Sequence, residues 1–231
     1  MTATTSRKGI VFVDFHGTLC HDTFWRSFPV NIRASIDDWL YKKNRSIVRD
    51  WMNGKLTTER VVDLVSRQFH LDYGSTLHQF VEECKDMFIP AELVESIREL
   101  RRIGWVTCLI TGNADCFSRF TVPTTALAEV FSEIVSSNQL GFQKQEFDGV
   151  IFQHLASIYE LPLDACYLVD DDSTVQAAFS RLGGNSLLCT SLGDTRRHLR
   201  EIVNKSKAMQ PVSSSSETVE TNKLNTHSTV P

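Results

Sequence analysis

The sequence has 231 residues, a formal net charge of −4 and 42 % hydrophobic residues. This length fits one ordinary domain, or a core with a small insertion, and the composition is that of a globular protein. The slight negative charge gives no general attraction to nucleic acid or to an anionic membrane, and no apolar run approaches the ~20 residues of a membrane helix. Residues 1–8 lack the apolar stretch of a signal peptide, so we expect a cytoplasmic protein.

The first predicted strand ends in a carboxylate. Asp14 closes the apolar run Ile10-Val11-Phe12-Val13, and the tight turn Phe15-His16-Gly17-Thr18-Leu19 follows it. Open α/β sheets bind their ligands at the carboxyl ends of the strands, and glycine lets the backbone turn there without a Cβ penalty. Because carboxylates serve as nucleophiles in phosphoryl transfer, Asp14 is a candidate covalent nucleophile.

Residues 21–89 show helical periodicity only. Apolar residues recur at helical spacing in three groups, and the start signal Thr57-Thr58-Glu59 precedes the second: Ile32, Ile36, Trp39 and Leu40; Val61, Val62, Leu64, Val65 and Phe69; Leu77, Phe80, Val81 and Cys84. The pattern predicts an all-helical insertion. Within it, Arg26 is a candidate for binding a carboxylate or a second phosphate on a substrate, since guanidinium suits both groups.

Beyond the insertion, strand and helix patterns alternate. The predicted strands are Gly9–Asp14, Trp105–Thr111, Phe131–Ser136, Cys166–Asp170 and Ser186–Thr190, and the predicted helices begin at Pro90, Val150 and Thr174. This alternation predicts an α/β fold with a doubly wound parallel sheet. We expect a core from residues 1–20 and 90–204, a helical insertion over 21–89, and a disordered tail over 205–231, which is poor in large apolar residues.

A second carboxylate cluster follows a later strand, in the run Leu168-Val169-Asp170-Asp171-Asp172. Three carboxylates close to Asp14 would repel, since two unit charges ~4 Å apart interact by about 4 kcal/mol at an effective dielectric constant near 20. A hard divalent cation with oxygen ligands relieves this repulsion, and Mg²⁺ is the simplest candidate. Asp172 is alternatively the cap of the next helix.

The motifs resemble those of the haloacid dehalogenase-like hydrolase superfamily. The run from Val13 to Leu19 is similar to the family's first motif, D-x-D-G-T-L, except that His16 stands at its second Asp. Thr111 matches the second motif, Lys144 the third, although Gln145 replaces the usual proline, and Asp170-Asp171 the acidic fourth. The resemblance implies a Rossmann-like core and a helical cap of the first type, inserted after the first strand, that covers the site and selects the substrate.

The resemblance also implies a role for each matching residue. It makes Asp14 the nucleophile and gives the phosphoryl group the ligands Thr111, Gly112, Asn113 and Lys144. It gives Mg²⁺ the ligands Asp14, the main-chain carbonyl of His16, Asp170 and Asp171. In family phosphatases the second Asp protonates the leaving oxygen and then activates water. The His16 imidazole can do both, or it only packs beneath the cap.

We therefore expect a Mg²⁺-dependent hydrolase of a small phosphomonoester that works through an aspartyl-phosphate. Its partner is a phosphorylated small molecule, with no nucleic acid or membrane, and the protein is a monomer or a homodimer. One alternative, motivated by His16, is a catalytically weak family member that binds or regulates. The other is a hydrolase of carbon–halogen or carbon–phosphorus bonds, which the Asp170-Asp171 pair disfavours.

Overall fold

The computed structural model describes residues 7–208, in which five parallel strands form one sheet. The strands are β1 (Ile10–Val13), β2 (Val106–Thr111), β3 (Glu133–Ser136), β4 (Tyr167–Asp170) and β5 (Asn185–Leu188). Their spatial order is β3-β2-β1-β4-β5, so β1 is central and β2 and β4 flank it. All five predicted strands are confirmed to within two residues at either end, as is the predicted α/β class.

The central strand is buried because helices cover both faces of the sheet. Successive side chains of a strand point to opposite faces, and β1 follows this rule. Val11 and Val13 join the apolar cluster on one face, and Ile10 and Phe12 join the cluster on the other. Phe12 packs edge-on against Phe152, with ring centroids 5.2 Å apart. This fixes β1 between two apolar layers and leaves its carboxyl end at one edge of the core.

Eleven α-helices accompany the sheet in the described part of the chain. They are α1 (Val30–Asp37), α2 (Arg45–Met52), α3 (Thr58–Phe69), α4 (Tyr73–Lys85), α5 (Ala91–Arg102), α6 (Val122–Thr124), α7 (Leu127–Val130), α8 (Ser137–Leu140), α9 (Val150–Ile158), α10 (Ser173–Arg181) and α11 (Leu192–Ala208). Among residues 7–208, no helix is both long enough and apolar enough to cross a membrane.

Helices α1 to α4 lie between β1 and α5, in the segment predicted as the helical insertion. The side chain of Thr57 accepts a hydrogen bond from Arg60 N and caps α3, which confirms the predicted start of this helix. The insertion has its own apolar cluster, in which Trp25, Trp51 and Phe80 are fully buried. Because this cluster also includes Ala114 and Cys116, which follow β2, the insertion packs directly against the sheet domain.

The C-terminal helix is longer than the sequence predicts. We expect a disordered tail from residue 205, but α11 continues to Ala208, so the prediction is wrong for residues 205–208. Ser206 is buried, and its hydroxyl accepts a hydrogen bond of 2.8 Å from Trp105 Nε1. This tertiary contact stabilises a segment whose polar composition resembles a tail. The remainder of the predicted tail, residues 209–231, lies outside the described residues.

Candidate active site

The predicted carboxylates converge at the carboxyl ends of β1 and β4. These strands are neighbours, with Val13 paired to Val169, and the backbone N–H of Asp14 donates to the Val169 carbonyl at 3.0 Å. Carboxylate oxygens of Asp14, Asp170 and Asp171 all lie within 4.8 Å of one another. Asp14 and Asp170 are buried, whereas Asp171 is exposed. The sheet thus brings Asp14 together with the adjacent pair Asp170 and Asp171, which is far from it in sequence.

Lys144 enters this cluster from the loop after α8. Its Nζ lies 2.5 Å from Asp14 Oδ1 and 2.7 Å from Asp170 Oδ2, and only 6 % of the residue is exposed. Burial disfavours the charged ammonium, but the attraction of Asp14 and Asp170 outweighs it and raises the pKa of Lys144. Lys144 is therefore a fixed positive charge that links the two buried carboxylates.

One ammonium does not balance three carboxylates. Burial, and then the nearby charge of Asp14, raise the pKa of Asp170 to about 7, although Lys144 acts in the opposite direction. The same two causes raise the pKa of Asp171. Both shifts show that negative charge is unfavourable here without further compensation. Hard carboxylate oxygens at this spacing fit a divalent cation such as Mg²⁺.

The turn after β1 brings the backbone close to the acidic cluster. The Phe15 carbonyl accepts hydrogen bonds from Leu19 N at 2.8 Å and from Cys20 N at 2.9 Å. Gly17 adopts a φ of +81°, and a Cβ there would overlap the Asp171 carboxylate. Only glycine suits both conditions. His16 precedes Gly17, and its exposed side chain lines a small cavity next to the cluster.

Thr111 ends β2 with an unused hydroxyl. The residue is 1 % exposed, and its Oγ1 makes no hydrogen bond to any of the described residues. A buried polar group left without a partner costs about 1–3 kcal/mol. A hydroxyl in this position fits a ligand oxygen. Gly112 comes next, and a Cβ there would lie 2.6 Å from Gln143 Oε1, so this side chain lies close over the glycine backbone.

The main-chain donor of Asn113 is already used in the structure. Its backbone N–H donates to Ser137 Oγ at 3.0 Å, so this N–H is not free to bind a phosphoryl oxygen. The side-chain Oδ1 accepts from Ala114 N at 3.0 Å. The main chain of Asn113 is therefore used to join the β2 and β3 loops. Asn113 nevertheless lines the small cavity beside His16.

Arg26, expected to bind a carboxylate or second phosphate of a substrate, lies outside the acidic cluster, and its guanidinium is held by main-chain carbonyls. Its Nη2 donates to the carbonyls of Glu83 and Asp86, at 2.8 Å each, at the C-terminal end of α4. The guanidinium also lies 4.0 Å from Asp22 Oδ2. Arginine at a helix C-terminus satisfies free carbonyls and complements the helix dipole. Arg26 thus holds the chain before α1 against α4.

Asp172 takes the alternative role considered for it. Its side chain accepts a hydrogen bond of 2.7 Å from Thr174 N and caps α10. It does not belong to the group formed by Asp14, Asp170 and Asp171. The backbone N–H of Asp172 donates to Asp170 Oδ1 at 2.9 Å. The first two acids of the triplet therefore form the site, and the third starts the helix behind it.

Three polar residues that tie the insertion to the sheet beside the site are missed by the sequence analysis. Gln143 Nε2 donates to Asn53 Oδ1 at 2.5 Å, and Ser137 Oγ donates to the Met52 carbonyl at 2.7 Å. Gln143 directly precedes Lys144, which is a signal of proximity to the site. No linear pattern links it to Asn53, however, because the two residues are far apart in sequence.

No protein-family model and no curated protein sequence matches the chain. Solved structures do match it. The HAD-family enzyme BT-2542 from Bacteroides thetaiotaomicron, solved as a magnesium complex, is 15 % identical with a TM-score of 0.62, and the match covers 80 % of this chain and 94 % of that chain. A predicted HAD-like hydrolase from Porphyromonas gingivalis is 20 % identical with a TM-score of 0.60, covering 79 % and 91 %.

Dehalogenases share the same architecture. The L-2-haloacid dehalogenase PA0810 is 11 % identical with a TM-score of 0.53, and the match covers 82 % of this chain and 87 % of that chain. These identities establish the fold. The resemblance read from the sequence motifs is confirmed at this level: the chain has the fold of the haloacid dehalogenase-like hydrolases.

Proposed function

We propose that the protein is a Mg²⁺-dependent hydrolase of a small phosphomonoester, with Asp14 as its nucleophile. The observation that carries this proposal is the contact of Lys144 Nζ with both Asp14 and Asp170, at 2.5 Å and 2.7 Å, where Asp171 also converges. Phosphoryl transfer requires positioning and charge neutralisation above all, and this cluster supplies both. BT-2542, of the same fold, has been crystallised with magnesium and inorganic phosphate.

The first chemical step is attack by a carboxylate oxygen of Asp14 on phosphorus. The bond from phosphorus to the ester oxygen breaks, and the leaving oxygen takes a proton from the imidazolium of His16. Lys144 holds the Asp14 carboxylate in place through its 2.5 Å contact and offsets negative charge on the phosphoryl group. The Thr111 hydroxyl, which has no partner among the described residues, donates to a phosphoryl oxygen.

The second step hydrolyses the aspartyl-phosphate. Neutral His16 takes a proton from a water molecule, and the water oxygen bonds to phosphorus. The bond from phosphorus to the Asp14 oxygen then breaks, which releases inorganic phosphate and restores the carboxylate. His16 supports this role because its side chain is exposed at the cavity beside Asp14, where water and substrate have access.

The residues that would hold the metal are Asp14, Asp170 and Asp171, together with the main-chain carbonyl of His16. When bound, the divalent ion supplies positive charge that stabilises the phosphoryl group as it is transferred. Gly17 supports this assignment, since its lack of a side chain allows the turn to approach the Asp171 carboxylate. Replacing either Asp170 or Asp171 with Asn would remove one charged ligand of the divalent ion and should therefore weaken its binding.

Carbon–halogen hydrolysis is a second candidate, because haloacid dehalogenases share the fold. The acidic pair Asp170-Asp171 beside Asp14 favours the metal-dependent reaction instead, since three converging carboxylates call for a cation.

Carbon–phosphorus cleavage through an imine, in which a lysine amine of the insertion bonds to the substrate, is not supported. The candidate lysines are Lys42, Lys43 and Lys55. Each of them is exposed and ion-paired, to Asp38 or to Asp50. A binding protein without turnover is the third candidate.

The test measures inorganic phosphate released from ethyl phosphate and acetyl phosphate, and halide released from a 2-haloacid, with Mg²⁺ or with EDTA. We expect phosphate release with Mg²⁺ that EDTA abolishes. Asp14→Asn should lower kcat at least ~10³-fold, because the nucleophile is lost. The matched control is Asp172→Asn. This substitution removes the third acid of the run Asp170-Asp171-Asp172, which lies outside the acidic cluster, and asparagine remains a good helix cap.

The outcomes separate the three candidates. Phosphate release that continues in EDTA would contradict the proposal. So would an equal loss of phosphate release in Asp14→Asn and Asp172→Asn. Halide release without metal would favour the dehalogenase. Metal binding without turnover on any phosphate ester would favour a binding or regulatory protein.

A further inference from the structure

A small cavity of about 50 Å³ adjoins the candidate active site. Phe15 and His16, which follow Asp14 directly, form one part of its wall. Gly112 and Asn113, which follow Thr111, form another part. Because these wall residues directly follow the proposed nucleophile Asp14 and the hydroxyl residue Thr111 in the chain, the space next to them is where the organic part of a phosphomonoester would lie.

The wall opposite the sheet is apolar and comes from outside the core. Phe24 and Met52 belong to the helical insertion, and Met87 to the segment that leads back from it. Phe24 is supported from behind by Trp51 and Phe80, with ring centroids 5.7 Å and 5.2 Å away. Met87 Sδ lies 3.8 Å from Cys20 Sγ. These contacts hold the apolar side chains in place over the site.

The cavity offers no positive side chain other than histidine. Among the described residues that line it there is no lysine or arginine, and Asp22 is its only acid. Asp22 Oδ2 accepts a hydrogen bond of 2.8 Å from Phe88 N. Arg26, the nearby cation, is bound to the carbonyls at the end of α4. A second anionic group on the substrate would therefore find no lysine or arginine among the described lining residues and would face Asp22.

The size of the cavity limits the substrate as well. Sites for drug-sized ligands enclose about 300–1,000 Å³, so this cavity admits an organic group of only a few non-hydrogen atoms. The contacts of Gln143 with Asn53 and of Ser137 with the Met52 carbonyl hold the insertion against the sheet on this side. The walls that set the size are thus fixed by direct hydrogen bonds.

We propose that this protein selects phosphomonoesters whose organic part is small, largely apolar and free of a second acidic group, and that Met52 and Phe24 set its size limit. The inference rests on the proposed phosphatase function. It excludes phosphorylated acids, sugar bisphosphates and nucleotides as preferred substrates, because each brings either additional negative charge or a body too large for the cavity.

The test compares kcat/KM of the full chain, with Mg²⁺, for four esters. Ethyl phosphate and butyl phosphate probe size, phosphoglycolate adds a carboxylate at nearly the size of ethyl phosphate, and adenosine monophosphate is bulky. We expect ethyl phosphate to exceed phosphoglycolate and adenosine monophosphate by at least ~10-fold each.

Variants assign the selectivity to its residues. Met52→Ala should raise the ratio of butyl to ethyl phosphate in kcat/KM about 10-fold, within the range that one or two methylenes are worth in a pocket. Met52→Leu, which conserves the volume, is the control and should leave the ratio within about 2-fold. Phe24→Leu supplies an independent enlargement from the neighbouring side chain. Asp22→Lys should raise phosphoglycolate relative to ethyl phosphate, since it supplies the missing cation.

Each outcome bears on a different claim. Phosphate release with a preference for phosphoglycolate or adenosine monophosphate would overturn this inference alone, as would ratios unchanged in both Met52→Ala and Phe24→Leu. If neither the four esters nor acetyl phosphate released phosphate, the proposed function would be overturned, and this inference with it.

Discussion

Lys144 is the residue on which the charge balance of the site depends. It is buried and lies between Asp14 and Asp170, whose mutual repulsion it reduces. Two carboxylates ~4 Å apart repel by about 4 kcal/mol at an effective dielectric constant near 20, so an ammonium between them matters for folding. The positive charge that we propose for phosphoryl binding should therefore also stabilise the metal-free protein.

Replacing Lys144 with Met should destabilise the metal-free protein by about 3–5 kcal/mol, since removing one partner leaves buried charges without compensation. Urea unfolding in EDTA measures this change. Lys55→Met is the control, because Lys55 is an exposed lysine that pairs with Asp50 at 3.7 Å, and it should cost less than about 1 kcal/mol. Equal stability of the two variants would show that the Lys144 ion pairs are not needed for folding.

Substitution of His16 should affect turnover and metal binding differently. Its side chain is exposed at the cavity, whereas only its main-chain carbonyl is assigned to the metal. We expect His16→Ala to lower kcat by ~10²–10⁴-fold, the usual contribution of a general acid–base group, with little change in Mg²⁺ affinity, because the substitution keeps the main-chain carbonyl. Steady-state kinetics and a Mg²⁺ titration measure the two quantities. Turnover equal to the wild type would leave His16 only a packing role.

At the scale of elements, the sequence predicts the sheet and the acids at its edge well. Apolar runs such as Ile10–Val13 and Tyr167–Asp170 are buried on both faces, so their pattern is visible without tertiary information. The contacts that the sequence does not predict are those made with distant partners. Arg26 has the chemistry of a substrate ligand, but the α4 carbonyls use its guanidinium. Ser206 looks like part of a tail until Trp105 donates to it.

Asp115 links the insertion to the loop after β2. Its Oδ1 accepts from Thr58 N at 3.0 Å, from Thr58 Oγ1 at 2.5 Å and from Trp51 Nε1 at 3.2 Å. Its Oδ2 accepts from Arg119 at 2.7 Å, and Arg119 also pairs with Glu59 of α3. One core carboxylate thus satisfies the first turn of α3 and orients it against the sheet domain.

Replacing Asp115 with Ala should therefore loosen the insertion. We expect a loss of about 2–3 kcal/mol in the free energy of unfolding, because the backbone N–H and the hydroxyl of Thr58 lose their acceptor and Trp51 Nε1 loses one of its two acceptors. Asp63→Ala is the control: Asp63 lies on α3 and, among residues 7–208, forms ion pairs only with Arg60 and Arg67 on the same helix, so it should cost less than about 1 kcal/mol. Urea unfolding and limited proteolysis of the insertion compare the two variants. Similar effects of both substitutions would contradict the linking role.

At the scale of the whole molecule, the site is assembled from three distant segments. Asp14 follows β1, Lys144 lies between α8 and α9, and Asp170 ends β4. The unfolded chain holds none of them together, so an ion that binds all the acids at once binds the folded state alone. Metal binding and folding are then linked, and stability reports on the site.

Addition of Mg²⁺ should raise the free energy of unfolding, by about 2.7 kcal/mol at one hundred times Kd. Asp170→Asn should lose most of this stabilisation, because it removes a buried charged ligand, whereas Asp172→Asn should retain it. Thermal or urea unfolding with and without Mg²⁺ measures the difference for each variant. Equal stabilisation of all three proteins would place the ion elsewhere.

The proposed mechanism requires above all that Asp14 carries the phosphoryl group during turnover. Rapid acid quenching of the enzyme with Mg²⁺ and a small phosphate ester, followed by mass spectrometry of its peptides, tests this directly. We predict one added phosphoryl group on the peptide that contains Asp14. This group should be absent in Asp14→Asn. It should be more abundant in His16→Ala if that substitution slows hydrolysis of the aspartyl-phosphate more than its formation. A phosphoryl group on any other residue, or rapid turnover by Asp14→Asn, would contradict the mechanism.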